Sequence, residues 1–196
     1  DRRTRSTCDG YARCFERSEE PLHKSFFSEV VHCASDAKFA KDGRHMVSRD
    51  YFNIYVWDLA MEHRPVATVP VHDYLRAHTC DLYENDCLFD QFRVAVSPDG
   101  QQVVSGSYHN HFVVHNLTTG QTSSHEAGAR PPRRAGKGKA GKRRAQQQVE
   151  TPNIAFMDFS RRALHVAWHP QLDVLAVAGV NKLYMYQAHA ADDGGL

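Results

Sequence analysis

A strand pattern that recurs three times constrains the fold of this 196-residue chain more than any other feature. Each unit has a segment rich in β-branched and aromatic residues, a tight turn, a second such segment, a short polar turn and a third. Two sets of side chains fall at matching places in the units: Phe39, Val96 and Trp168, then Trp57, His115 and Tyr186. The repeat predicts three similar β-meanders.

Details within the repeat indicate its type. Asp42-Gly43 and Asp99-Gly100 place a glycine where a tight turn needs a positive φ. Trp57-Asp58 is the dipeptide that closes the third strand of a WD-type propeller blade, and His115-Asn116 is a weaker version of it. The sequence therefore predicts an all-β fold, namely a partial WD-repeat β-propeller of about three blades.

The spacing of the units predicts insertions between them. Phe39, Val96 and Trp168 lie 57 and 72 residues apart, whereas a WD-type repeat has about 40–45 residues. We place the insertions at 60–91 and 120–150, and expect the second to lack regular structure. The predicted division is 1–24 for the end of a preceding blade and a loop, 25–81 and 82–163 for two blades, and 164–196 for the last blade and a tail.

The stretch 81–90 combines charge with aromatic surface. It holds four carboxylates and two large aromatic side chains: Asp81, Glu84, Asp86, Asp90, Tyr83 and Phe89. Carboxylates attract basic partners, and aromatic rings give a partner a rigid surface to pack on. The stretch is either a recognition surface or a polar turn whose aromatic residues enter a β-core.

A basic run covers 130–144, where eight of fifteen residues are Lys or Arg and none is an apolar residue larger than Ala or Pro. Such a composition cannot bury surface. The run is either a nuclear address or nucleic-acid contact, or a solvated loop. Because no aromatic residue is interleaved, we expect neither stacking on single-stranded nucleic acid nor nucleic acid as a partner.

Composition excludes several classes. The formal net charge is +1, so overall charge indicates no partner, and no stretch of about 18 apolar residues could span a membrane. The start of the chain lacks the apolar run of a secretion signal, and without an initiator Met we expect a fragment. The five cysteines are odd in number and lack C-x-x-C spacing, which favours a reducing compartment. Histidine spacing supports no metal site, and no motif for a cofactor or for enzymatic catalysis stands out.

Longer blocks of sequence carry a resemblance to a known family. They are Ser25-Phe26-Phe27-Ser28-Glu29, Val56-Trp57-Asp58-Leu59, Leu82-Tyr83-Glu84-Asn85-Asp86-Cys87, Gly106-Ser107-Tyr108 and Ala167-Trp168-His169-Pro170. Together, over about 25–188, they resemble the 55-kDa B-type regulatory subunits of protein phosphatase 2A. The resemblance implies the C-terminal part of a seven-bladed propeller.

The resemblance also implies a function. Members are not catalytic: they join a scaffold subunit and a catalytic subunit, and they select phosphoprotein substrates that have basic docking segments. By position, the implied substrate-binding residues are Phe26, Phe27, Tyr83, Glu84, Asp86 and Phe89. Gln91 stands where the family usually has a lysine. We expect a cytoplasmic protein, with the nucleus as a second compartment. The alternative function is a generic WD-repeat scaffold of a nuclear complex.

Overall fold

The computed structural model describes residues 13–17, 26–129 and 157–187. Most of these residues lie in strands. The strands are β1 Asp36–Phe39, β2 His45–Arg49, β3 Asn53–Asp58, β4 Ala67–Pro70, β5 Val94–Val96, β6 Gln102–Gly106, β7 His111–Asn116, β8 Thr122–Glu126, β9 His165–Trp168, β10 Val174–Gly179 and β11 Lys182–Gln187. The helices are α1 Ser28–Val31, α2 Thr79–Glu84, and two 3-10 helices, Asp73–His78 and Cys87–Phe89.

The strands form three antiparallel meanders. Their orders are β1-β2-β3-β4, β5-β6-β7-β8 and β11-β10-β9, so each sheet follows the chain. The inner strands β1, β5 and β9 lie side by side, with β1 against β5 and β5 against β9. Three meanders arranged around adjacent inner strands are blades of a propeller, which confirms the predicted fold class.

The predicted repeat register is also present in the hydrogen-bonded pairs. In the first sheet Met46 pairs with both Phe39 and Trp57. The equivalent rows are Val96, Val103 and His115 in the second sheet, and Trp168, Leu175 and Tyr186 in the third. Each row crosses three strands, so the sequence matches reflect one structural position repeated three times.

The two predicted glycine turns have the expected geometry. Gly43 has φ +68° and Gly100 has φ +74°, in the left-handed region that favours glycine. The Asp42 carboxylate accepts hydrogen bonds from the backbone N–H groups of Arg44 and His45, both at 2.9 Å. Its hydrogen bond with the His45 side chain contributes most to lowering the pKa of Asp42 to about 2.

The Trp57-Asp58 pair is held within its own blade. Trp57 Nε1 donates to Ser48 Oγ at 2.8 Å. One carboxylate oxygen of Asp58 accepts from Arg44 Nη2 at 2.7 Å and from Arg44 Nε at 3.0 Å. These hydrogen bonds lower the pKa of Asp58 and tie the end of β3 to the turn before β2.

Apolar side chains fill the spaces between neighbouring sheets. The cluster between the first and second sheets is built mainly from valine: Val47, Ile54, Val56, Val69, Val71, Val94, Val103 and Val113. The cluster between the second and third contains Ala95, Val104, Phe112, Ala163, Val166, Leu175 and Val177. β-Branched residues suit both a strand backbone and a close-packed interface, which explains their use here.

The segment predicted as the second insertion is partly regular. Within 120–150, which was expected to lack structure, Thr122–Glu126 forms β8. It pairs with β7 from His111↔Glu126 to His115↔Thr122. The free edge of β7 offers backbone hydrogen bonds whatever the side chains are, so a polar segment can serve as the outer strand. Residues 130–150, including the basic run, lie outside the described residues.

Consecutive connections of a meander alternate between its two ends. At one end lie 26–35, 50–52, 71–93, 107–110, 127–129 and 157–164, and we call this the loop end. Side chains from several of these connections share one buried cluster, which includes Val31, Phe52, Leu82, Leu88 and Tyr108. Among the described helices, none is long and apolar enough to cross a membrane.

Candidate functional site

The stretch 81–90 lies in the long connection from β4 to β5, at the loop end. Leu82, Cys87 and Leu88 point inward and are almost fully buried in the shared cluster. The helix α1 packs beside them through Val31, while Phe27 is partly buried on the same cluster. Apolar anchors therefore hold α1 and the 81–90 stretch together, although they are more than fifty residues apart in sequence.

The four predicted aromatic residues form one continuous row. The ring centroids of Phe26 and Phe27 are 5.2 Å apart, those of Phe27 and Tyr83 are 5.3 Å apart, and those of Tyr83 and Phe89 are 5.8 Å apart. These separations are those of favourable ring pairs. Phe26 is 86% exposed and Phe89 is 53% exposed, so both ends of the row face solvent.

The two predicted carboxylates lie on the same connection. Glu84 ends α2, and both Glu84 and Asp86 are exposed. Asp86 has φ +57°, a left-handed conformation that aspartate tolerates better than most residues, and it separates α2 from the 3-10 helix Cys87–Phe89. Within the described residues neither carboxylate has a side-chain hydrogen bond or an ion pair. We call Phe26, Phe27, Tyr83, Glu84, Asp86 and Phe89 the acidic-aromatic surface.

Asp90 differs from the other carboxylates of the stretch because its side chain is only 7% exposed. Its carboxylate accepts from Arg162 Nη1 at 2.7 Å and lies 2.8 Å from the Tyr108 hydroxyl. Burial raises the pKa of Asp90, while Tyr108 and Arg162 act in the opposite direction. Asp90 therefore holds the stretch in place and is not available to a partner.

Tyr108 connects three parts of the loop end. Its hydroxyl lies 2.8 Å from the Cys87 carbonyl oxygen and 2.8 Å from the Tyr51 hydroxyl. Burial raises the pKa of Tyr108, so the phenol stays protonated and can donate. Sequence reasoning identified neither Tyr108 nor Arg162 as part of the site's support, because their partners are 18 and 72 residues away.

Three arginines among the described residues of the loop end are engaged within the chain. Arg76 pairs with Asp73 and stacks over the Phe52 ring, with 4.4 Å between Cζ and the ring centroid. Arg161 lies 3.9 Å from Glu126. Arg162 is bound to Asp90, as described above. Among the described residues, the unpaired carboxylates Glu84 and Asp86 therefore make the local field at the acidic-aromatic surface negative.

A second polar cluster is buried between the first two sheets. Arg49 is fully buried, with Nη2 3.2 Å from His72 Nδ1 and its guanidinium 5.9 Å from the Phe92 ring centroid. His72 Nδ1 donates to the Tyr51 carbonyl at 2.9 Å, and Nε2 accepts from Ser107 Oγ at 2.9 Å. Burial lowers the pKa of His72 and brings that of Arg49 to about 10. This cluster joins two blades and is closed to solvent.

One cavity in the described part of the chain is small. A cavity of about 240 Å³ lies between residues 13–17 and the face of β2 and β3 that carries Tyr55 and Trp57. It is smaller than a typical small-molecule pocket of about 300–1,000 Å³, and none of the six residues of the acidic-aromatic surface lines it. In the described ranges no three His, Cys, Asp or Glu residues are grouped so as to hold a metal ion.

The three meanders and their WD-type register define this chain as part of a WD-repeat propeller, and an exposed aromatic and acidic surface is typical of a protein that binds other proteins. No family model matches the chain. It is 38% identical over 194 residues to a protein phosphatase 2A regulatory subunit, phr2AB, of Dictyostelium discoideum, covering 96% of this chain and 40% of the relative.

It is also 40% identical over 201 residues to the gamma isoforms of the 55 kDa B-type regulatory subunit of Homo sapiens and Oryctolagus cuniculus, covering 98% of this chain and 44% of each relative. The chain belongs to the family of 55-kDa B-type regulatory subunits of protein phosphatase 2A, which confirms the resemblance found in the sequence. It spans less than half the length of these relatives. They are named as regulatory and not catalytic subunits, in agreement with the prediction of a non-enzyme.

Proposed function

We propose that the protein containing this chain is a regulatory subunit that docks phosphoprotein substrates for phosphatase 2A through the acidic-aromatic surface. Its partners are then a scaffold subunit, a catalytic subunit and substrates with basic docking segments. The observation that supports this most directly is the continuous row of four aromatic rings beside two unpaired carboxylates. A basic, partly apolar segment could bury its apolar side on the rings and place its cations near Glu84 and Asp86.

The support beneath the surface agrees with a docking role. Buried anchors and the Asp90–Arg162 ion pair fix the connection, so binding would not need to order it first. A preorganised site loses less conformational entropy on binding. The carboxylates serve attraction and orientation, and the rings supply the larger share of the affinity.

Charge neutralisation tests the acidic part. In the full-length protein, Glu84→Gln with Asp86→Asn removes two exposed charges, each worth about 0.2–1 kcal/mol toward a basic partner. The expected loss is about 0.4–2 kcal/mol, or roughly two- to thirty-fold in affinity for a phosphoprotein with a basic docking segment. The matched control, Thr118→Lys with Gln121→Lys, changes net charge equally in the exposed turn at the opposite end and should have no effect.

Truncation tests the aromatic part. Phe89→Ala should weaken substrate docking by about 1–2 kcal/mol, because a ring that fills a desolvated contact contributes that much or more. Leu172→Ala is the control. The exposed fraction of Leu172, 57%, is similar to the 53% of Phe89, but Leu172 lies in the β9–β10 turn, at the opposite end of the sheets. Holoenzyme yield and activity on a short phosphopeptide should stay normal in all variants. If a variant that combines Phe89→Ala with Glu84→Gln and Asp86→Asn docks substrates as well as the parent protein, then 81–90 is only a polar turn.

The compartment is a further part of the proposal. We place the full-length protein in the cytoplasm, with entry into the nucleus. Imaging a fluorescently tagged full-length protein with and without 130–144 tests whether the basic run directs nuclear entry. If the distribution between cytoplasm and nucleus is unchanged, the basic run does not direct nuclear entry.

A further inference from the structure

Within the described residues, the acidic-aromatic surface has carboxylates without counter-ions, whereas three arginines at the same end are each paired with a carboxylate. Arg76 is paired with Asp73, Arg161 with Glu126 and Arg162 with Asp90. In the part of the chain that the structure describes, no cation pairs with Glu84 or Asp86. A basic segment held near this surface would meet uncompensated negative charge.

The basic run is attached at this same end of the propeller. The chain leaves β8 at Glu126, and Ala127 is fixed there because its carbonyl accepts from Asn110 Nδ2 at 2.5 Å. The chain is described again from Met157, which packs on the same buried cluster as Phe27. Both attachment points of 130–156 therefore lie at the loop end.

Covalent geometry brings the run within reach of the surface. Residue 144 and Met157 are thirteen steps apart along the chain, and a chain of that length can span at most about 45 Å. Met157 and Phe27 share one side-chain cluster, so the distance to be bridged is much shorter than this limit. Attachment to the same chain also removes the translational cost of association, which raises the effective concentration of the run at the surface.

We propose that the basic run 130–144 binds the acidic-aromatic surface of its own molecule and competes there with the basic docking segments of substrates. The proposal rests on the docking function proposed above. The run carries eight cations but no large apolar side chain, so it can pair with Glu84 and Asp86 without filling the aromatic row. Its hold is electrostatic, and salt weakens it.

This competition makes the surface selective for one class of partner. A purely basic segment makes only the contacts that the tethered run already makes, so it has to compete with the run for all of them. A segment with both basic and apolar residues adds contacts to Tyr83 and Phe89 that the run cannot make, and it keeps these contacts while the run stays on the carboxylates, so the run weakens its binding less. The favoured substrates are therefore amphipathic and basic, not merely basic.

Two fluorescent peptides test the inference on the full-length protein in its phosphatase complex. One is a 15-residue peptide of Lys, Gly and Ser, and the other carries Leu and Lys at helical spacing. In the test variant all eight basic residues of 130–144 are replaced by Gln. The matched control exchanges only the run's five arginines for lysine, which preserves its charge.

Neutralising the run should tighten binding of the purely basic peptide about tenfold at low salt, and of the amphipathic peptide about threefold, because the first competes with the run for the same contacts. The charge-preserving control should stay within about twofold of the parent. This gain in peptide affinity should disappear when Glu84→Gln and Asp86→Asn are also present, because the run then has no carboxylates to occupy even before it is neutralised.

Other outcomes overturn the inference in distinguishable ways. If neutralisation changes neither peptide while Phe89→Ala weakens the amphipathic one, docking stands and self-competition is wrong. If changes to the acidic-aromatic surface affect neither peptide, the docking function itself is wrong. If the gain persists without Glu84 and Asp86, the run acts elsewhere, and a gain that depends on protein concentration shows that a second copy supplies the run.

Discussion

Removing the Arg162 side chain should loosen the whole 81–90 connection, although Arg162 is far from it in sequence. Arg162 Nη1 donates to the buried Asp90 carboxylate at 2.7 Å, and Arg162 Nε donates to the Phe159 carbonyl at 2.8 Å. The change Arg162→Met keeps much of the apolar stem and deletes both hydrogen bonds and the charge. Asp90 is left as a buried carboxylate that, among the described residues, keeps the hydrogen bond from Tyr108 alone.

The magnitude follows from burial. Breaking a fully buried pair costs about 3–5 kcal/mol, but the Arg162 side chain is 32% exposed, and solvent reduces the effect to about 2–3 kcal/mol. The neighbouring Arg161 is the internal comparison, since it is 42% exposed and lies 3.9 Å from an equally exposed Glu126. Arg161→Met should therefore cost less than about 0.5 kcal/mol.

Urea unfolding of the full-length protein measures both variants, and a double-mutant cycle with Asp90→Asn isolates the pair. The cycle should give a coupling energy of about 1–2 kcal/mol, because neither partner keeps its role without the other. Hydrogen exchange should show faster opening of Cys87–Phe89 in Arg162→Met. Equal unfolding free energies for Arg162→Met and Arg161→Met would refute the view that this ion pair fixes the connection.

Three further changes have defined outcomes. Burial keeps the pKa of His72 well below 6.5, so below pH 6.5 the unfolded chain takes up a proton that the folded chain excludes, and the free energy of unfolding falls as pH falls. Urea unfolding at pH 7.5 and 5.5 measures this loss of stability. His72→Gln should make the loss about 1.4 kcal/mol smaller. In Gly106→Ala the new Cβ would lie 1.6 Å from the Ala163 carbonyl oxygen, so thermal unfolding should show a loss of about 3 kcal/mol in stability. Gly43→Ala is the comparison, because its new Cβ has open space. It should lose only about 1 kcal/mol of stability, from the positive φ of Gly43. Deleting 130–144 should leave the unfolding free energy and phosphatase assembly unchanged, since the run has no apolar residue for a core, and a large loss in either would show a structural role.

The repeat could be predicted from the sequence because its signals are local. The Asp-Gly turns and the matched positions of Trp57 and Tyr186 depend on neighbouring residues and a regular strand period. The outer strand β8 was missed for the opposite reason. Its residues are polar, and what makes them a strand is the free edge of β7, which no local pattern records.

The candidate site remains a prediction, and only part of its geometry could be expected from the sequence. Its six residues were identified through the family resemblance, and the structure joins the four aromatic residues in one row. The separate roles of the carboxylates were not predictable from the stretch itself. Asp86 and Asp90 look alike in sequence, but Asp90 turns inward because Arg162 and Tyr108, from other connections, meet it there.

The two ends of the sheets are unequal, which matters for handling the molecule in experiments. At the end opposite the acidic-aromatic surface, the described connections have only five to eight residues. The turn between β7 and β8, around the exposed Thr118 and Thr119, is therefore a suitable place for a dye, a biotin or a link to a sensor chip. A molecule immobilised there would present the loop end to solution, and its measured binding rates would not be limited by the attachment.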